Sequence, residues 1–220
     1  MKNATKILLV LAMASCGLVA QAQFSGVRSL FLMSNLLDNP AAAGNSPCLD
    51  MRMGVRSQWA GFEGAPLTSF ASLSGRLGQG TTFAHGMGGY VLNDDIGPWS
   101  NTRLNLAYSS KIRLSSGARL SAGVGLGLTQ YRLDVGSLRF PEESATDDPA
   151  LIGNASSQMV FPTMDFGLWY EDKLNFASLG VLNVTATTLN DIAQGTSSGR
   201  VAVLTLSLIH ISEPTRRDQI

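Results

Sequence analysis

The chain has 220 residues, 45% hydrophobic and 15% charged, with 23 glycines and sixteen basic residues balanced by sixteen acidic ones. That length gives one domain of ordinary size, and the charged fraction falls well below the ~25% usual for soluble domains. The neutral balance leaves no electrostatic footprint for nucleic acid. Two cysteines, Cys16 and Cys48, in no metal or redox spacing exclude a disulfide scaffold and a zinc module.

Residues 1–22 read as a signal peptide. Lys2 and Lys6 form a positive n-region, Ile7 to Val19 an apolar stretch, and Ala20-Gln21-Ala22 a small-residue cleavage signal. Cleavage between Ala22 and Gln23 is the expectation. The rival is acylation of Cys16, where Met13 stands in place of the leucine such signals prefer. The apolar run is shorter than the ~20 residues of a spanning helix. Cys48, within Ser46-Pro47-Cys48-Leu49-Asp50, has no cationic neighbour to activate it and reads as a small apolar residue.

From there the chain alternates with period two. Short strands are predicted at Arg52–Trp59, Leu67–Gly75 and Met87–Leu92, with Asn93-Asp94-Asp95 as a turn. In Thr102–Leu114, residues 104, 106, 108, 112 and 114 are apolar or aromatic, whereas 103, 105, 109, 111 and 113 are polar. The run Ala118–Arg132 repeats the pattern, with Leu120, Ala122, Val124, Leu126 and Leu128 facing away from Arg119, Ser121, Gly123, Gly125, Gly127 and Thr129. Ser115-Ser116-Gly117 joins the two as a hairpin turn. Met164–Tyr170 and Leu174–Phe176 form a second hairpin around Glu171-Asp172-Lys173, followed by strands at Leu179–Val184 and Arg200–Thr205.

Strands of ten or more residues are longer than those of soluble sandwiches and match the ~9–11 residues that cross a bilayer. Short connections at 115–117 and 171–173 against a long one from Asp134 to Gln158 repeat the division between periplasmic turns and external loops. The expected fold is all-β, an antiparallel meander of a transmembrane outer-membrane β-barrel. About eight strands are visible, and the barrel is incomplete because its C-terminal strands are missing. An arginine facing lipid at mid-bilayer costs ~2–4 kcal/mol. Residues 104, 106, 108, 112 and 114 are therefore expected outside, and 103, 105, 109, 111 and 113 inside.

The last segment, Leu206 to Arg216, reads LSLIHISEPTR. It resembles, letter for letter, the in-frame translation of a common transposase sequencing adapter, and Ile220 falls in the same frame. Residues 206–220 are read as a non-native tail, against the alternative of a native strand over 201–211. The authentic mature domain is then 23–205, with twelve basic and fourteen acidic residues once Lys2, Lys6, Arg216, Arg217, Glu213 and Asp218 are set aside.

Little in this domain carries chemistry. His85 is its only histidine, which leaves a triad or histidine metal site without a second member. Asn93-Asp94-Asp95 lacks the ligand spacing of a calcium loop, and the acids at 142, 143, 147 and 148 read as a solvated loop. The glycines at 123, 125 and 127 precede no helix, so they are small residues on a curved inner wall and not a phosphate loop. No catalytic residue, cofactor or metal is expected.

One series of motifs is more specific. Asn39-Pro40-Ala41-Ala42-Ala43-Gly44 is followed by Arg56-Ser57-Gln58-Trp59 and by Gly64-Ala65-Pro66-Leu67-Thr68. Gly86-Met87-Gly88-Gly89-Tyr90, Asn93-Asp94-Asp95-Ile96-Gly97, Tyr108-Ser109, Leu120-Ser121-Ala122-Gly123, Phe161-Pro162 and Asp165-Phe166-Gly167-Leu168-Trp169-Tyr170 continue it. Over residues 23–184 this resembles the PorP/SprF family, outer-membrane proteins of the type IX secretion system. Ser110-Lys111 departs from the family pattern, which has another aromatic there. Family members are also longer, with roughly 12–14 strands expected for a complete barrel.

The resemblance implies a non-enzymatic outer-membrane component of the secretion and gliding machinery that supports export of surface or secreted proteins. Its implied partners are the trans-envelope ring and motor proteins, secreted cargo and outer-membrane lipid. Asn39, Pro40, Gly44, Arg56, Gln58, Trp59, Ala65, Pro66, Thr68, Asn93, Asp94, Gly97, Tyr108, Pro162 and Gly167 are the motif positions, structural or docking in role. Trp59 suits an interfacial girdle, and Gly64-Ala65-Pro66 the end of the first hairpin. The alternative is a passive porin for small solutes on the same barrel.

Overall fold

A computed structural model of the chain describes residues 33–78, 83–115, 117–134, 156–172, 175–185, 187–188 and 197–208. The expected signal peptide with its Ala22–Gln23 cleavage site, the acids at 142–148 and residues 209–220 lie outside the described residues.

Alternation dominates the chain, and strands follow from it. They are β1 (Asp50–Ser57), β2 (Leu67–Leu77), β3 (Phe83–Ile96), β4 (Trp99–Arg113), β5 (Arg119–Asp134), β6 (Ser156–Glu171), β7 (Asn175–Leu182), the two-residue β8 (Thr187–Thr188) and β9 (Ser197–Ser198), and β10 (Val201–Leu208). Eight of them form one antiparallel sheet in the order β1-β2-β3-β4-β5-β6-β7-β10, curled into a half-barrel. Among the described residues, β1 and β10 each have a sheet neighbour on one side only. No described helix is long and apolar enough to cross a membrane.

The ends of the strands show where local sequence misleads. Asn93-Asp94-Asp95 is not a turn: β3 runs through it to Ile96, and the chain reverses at Gly97, whose φ is +57°. A polar run of this kind looks like a turn, but here each side chain has a cross-strand partner. Thr68 Oγ1 donates to Asp94 Oδ1 at 2.6 Å, Ser100 Oγ to Asp95 Oδ1 at 2.5 Å, and Thr102 Oγ1 to Asn93 Oδ1 at 2.7 Å. Trp59 falls beyond β1, in a 58–66 loop closed by the Gln58 N–H donating to the Pro66 carbonyl. The predicted 115–117 turn forms, with the Leu114 N–H bonded to the Ala118 carbonyl and Gly117 at φ +89°. β10 continues through Leu208, three residues past the expected end at Thr205, in register with Ala177, Phe176 and Asn175 of β7.

The two faces of the sheet are chemically distinct. Asn105, Ser109 and Lys111 of β4 are buried on the concave side, whereas Leu104, Leu106, Tyr108 and Ile112 are exposed on the convex side. Arg113 shares the inward parity but emerges into solvent at the strand's end. Across the sheet, register aligns the outward residues into apolar rows such as Met51–Leu73–Gly89–Leu106–Leu126–Met164.

Leu104 to Ile112 is nine residues of strand. Its eight steps at ~3.4 Å each and a ~40° tilt give a band about 21 Å high, near the ~25 Å apolar belt of outer-membrane barrels. Asn93, Asp95, Ser100 and Thr102 bound it on one side. Within the band, Tyr108 lies against His85, rings stacked at 5.9 Å and the hydroxyl 2.7 Å from Nδ1.

Replacing Leu106 in the middle of this band tests the assignment of faces. Leu106→Arg should cost ~2–4 kcal/mol of folding free energy in phospholipid vesicles, measured by urea titration, while Leu106→Phe should cost little. On a soluble sheet the arginine would be tolerated, because the side chain is already 66% exposed.

Candidate functional site

The concave face is occupied by the chain itself. Residues 35–38 make a single helical turn (α1, Asn35–Asp38), which ends because Asn39 is extended, at φ −155° and ψ 115°. Asn39 Oδ1 then accepts the Ala41 N–H at 2.9 Å and starts a 3₁₀ turn over Pro40–Ala42. Proline suits the first position of that turn, where no N–H is needed and φ is already set. Gly44, at φ +65°, turns the chain out again. The Asn-Pro-Ala-Ala-Ala-Gly series is therefore a cap, a tight turn and an exit, and small side chains keep it thin.

A thin segment can lie close to a sheet only where the sheet has no side chains. Cross-strand register puts Gly86 beside Ser109, Ser109 beside Gly123, Gly123 beside Gly167, and Gly167 beside Gly180, a single transverse row over β3 to β7. The segment runs along this row. A Cβ on Gly180 would strike the Asp38 carbonyl, one on Gly167 the Asn39 side chain, and one on Gly86 the Ala43 carbonyl. A Cβ on Gly123 would come within 2.6 Å of Ala41 Cα, and one on Gly44 within 2.7 Å of Gly86 Cα. Contacts this close have no room for a methyl group.

Polar side chains of the sheet hold the segment by its main chain. Ser109 Oγ donates to the Ala43 carbonyl at 2.6 Å, and Lys111 Nζ donates to the Ala41 carbonyl at 3.1 Å and to Asn45 Oδ1 at 2.5 Å. Arg52 Nη1 donates to the Met33 carbonyl, Arg76 Nη2 to the Asn45 carbonyl, and Asn39 Nδ2 reaches across to the Leu168 carbonyl. Apolar packing flanks these bonds. Leu36 and Leu37 sit with Ala43, Tyr90 and Ala107 on one side, and Ala41 and Ala42 meet Trp169, itself stacked on Phe176, on the other.

Further along the same face lies a second buried cluster. Asp165 accepts from Asn105 Nδ2 at 2.8 Å and from the backbone N–H of Asn183 at 2.7 Å. Asn183 has φ +55°, a conformation asparagine tolerates better than most residues, and its Nδ2 donates to the Gly199 carbonyl. Asp165 thereby pins the start of the β7–β10 connection inward. Gly125 and Gly127 make room for it, since a Cβ on either would fall within about 3 Å of the Asn105 or Thr163 side chain.

The fifteen motif positions separate into three places. Asn39, Pro40, Gly44 and Gly167 meet in the seated segment and its floor. Arg56, Gln58, Trp59, Ala65, Pro66, Thr68, Asn93, Asp94 and Gly97 gather at the end of the sheet away from the 115–117 turn, where the Gly97 N–H bonds the Gly64 carbonyl at 3.0 Å. Tyr108 and Pro162 lie on the convex face.

Sequence reasoning missed Ser109, Asn105 and Asp165 as structural anchors. It placed Lys111 on the inward face and as a departure from the family pattern, but not as the residue that grips the segment. Its one sequence signal was a lysine on the inward parity of a long strand. Among the described residues, no three His, Cys, Asp or Glu side chains gather as a metal site.

Two substitutions probe these clusters. Gly123→Val should destabilise the folded protein by ~1–3 kcal/mol by overpacking. It should cost far less in a variant lacking residues 33–45, a coupling read from a double-mutant urea-denaturation cycle. Asp165→Ala strands the Asn183 N–H and Asn105, and at ~1.5–3 kcal/mol per bond to a charged group should cost about 3 kcal/mol or more. Proteolysis within the 183–200 connection should accelerate in step.

The family described as type IX secretion system membrane protein PorP/SprF matches residues 20–210. Neither a curated protein nor a solved structure matches the chain. With that match covering most of its length, the chain belongs to the PorP/SprF family of type IX secretion system membrane proteins.

Proposed function

We propose that the protein is a non-catalytic outer-membrane component of type IX secretion that supports the export or surface display of particular proteins, gliding adhesins among them. The family match over residues 20–210 carries this reading. The convex apolar band supports placement in the outer membrane, reached by way of the signal peptide at 1–22.

The seated segment argues against the passive porin. A solute pore needs an open polar lumen, whereas here the main chain of residues 38–44 lies across five strands of the concave face. The end carrying the β4–β5 and β6–β7 connections would face the periplasm and meet the trans-envelope ring and motor proteins. Trp59, 72% exposed on its loop at the other end, would face outward toward cargo.

Deleting the gene should remove specific proteins from the secretome while small-solute permeation stays within twofold of the parent. An unchanged secretome with slowed permeation would establish the porin instead. In a complementing copy, Trp59→Ala should leave the amount of folded membrane protein unchanged and still reduce export. A parallel fall in both would make Trp59 a structural residue.

A further inference from the structure

The seated segment belongs to the chain but not to the sheet. Each hydrogen bond to the sheet described above has a side chain on one side, and none of the interstrand ladders runs through it. The sheet residues that hold it, Ser109 and Lys111, are themselves buried and bond its carbonyls. What they read is a backbone path with small side chains, set by the Asn39 cap. The connection to β1 is the stretch 46–49, of which Pro47, Cys48 and Leu49 are exposed. A ligand held in this way, on a short exposed tether, has the anatomy of a bound peptide.

We propose that the concave groove over Gly86, Ser109, Gly123, Gly167 and Gly180 is a peptide-binding site. Its ligand class is a capped run of small residues, Asn-Pro followed by alanine-sized side chains and a glycine. The chain's own residues 34–45 fill it as a tethered, exchangeable ligand. Recognition has three parts. Asn39 presets the turn through its bond to the Ala41 N–H and docks on the Leu168 carbonyl. Ser109 and Lys111 fix the register through the Ala43 and Ala41 carbonyls. The glycine row excludes nothing from the peptide except bulk, so a larger side chain on either partner blocks seating. Because the site sits across the concave face, exchange of this segment alternates the face between covered and open.

The test cuts the tether after folding, so that folding itself is not at stake. A specific protease site replaces residues 46–49 in the full chain, and the protein is folded in detergent and then nicked. Excess fluorescent peptide spanning residues 33–46 is added. The expected result is 1:1 uptake of the peptide with release of the nicked fragment. The same peptide carrying Asn39→Ala should bind at least tenfold more weakly, and one with Ala42→Trp should not bind. The uncut protein should take up at least tenfold less peptide at equal concentration. Lys111→Met in the nicked protein should speed fragment release several-fold. If the nicked fragment stays in place and no peptide enters, the segment is a permanent part of the fold and the proposal is overturned. Equal uptake by cut and uncut protein, or equal binding of the Ala42→Trp peptide, would overturn it as well, since the label would then be sitting elsewhere.

Discussion

Two stretches of main chain can approach within a few ångströms only if neither carries a side chain between them. That constraint organises the interior. Five consecutive strands must each present a glycine or serine at one register level, and the segment crossing them enters as Asp38-Asn39 and continues in proline, alanine and glycine. Neither half is useful alone. A glycine row without its segment is a weakened sheet, because glycine in a strand loses conformational entropy and offers nothing to pack. The segment without its row is a short irregular peptide with no core of its own.

Curvature is tied to the same contact. Four inter-strand steps from β7 to β3 measure about 19 Å along a flat sheet at ~4.8 Å each. Six residue steps from Asp38 to Gly44, part of them wound at ~2.0 Å rise in the 3₁₀ turn, fall short of that distance. The segment reaches because the sheet curls toward it, and once seated it resists flattening. The apolar convex face adds nothing to this curl by itself, since its side chains are turned away from the protein. In lipid it faces a matching solvent, and the concave side is left to supply the polar and steric specificity.

Much of the sheet was legible from residue order. The parity of β4 and β5 follows directly from leucines alternating with arginines, serines and glycines, and it holds at every position except Arg113, where the strand ends. The glycines at 123, 125 and 127 could be assigned to an inner wall, but not to what lies against that wall. The pairing of Asn39 with Leu168 links residues 129 apart, and no local pattern encodes a contact at that range. Lys111 shows the same limit. Its inward parity was visible, while its acceptors, two groups near position 43, were not. At Asn93–Asp95, composition pointed to a turn and the hydroxyls of Thr68, Ser100 and Thr102 made it a strand, so the neighbouring strands decided the matter. The two-residue β8–β9 pair has too little sequence to leave any signal at all.

The distances along the chain between the segment and its partners also set an order of events. Ser109 is 66 residues from Ala43, Lys111 is 70 from Ala41, and Leu168 is 129 from Asn39. Closing loops of this size is slow compared with zipping adjacent hairpins, whose partners are near neighbours in sequence. The meander β1 to β7 can therefore assemble hairpin by hairpin while residues 34–45 are still unattached. The last of their contacts, Asp38 against Gly180, must wait until β7 has been laid down. A stretch that emerges from the ribosome ahead of every strand thus takes its seat after them, and the concave face is open throughout the interval.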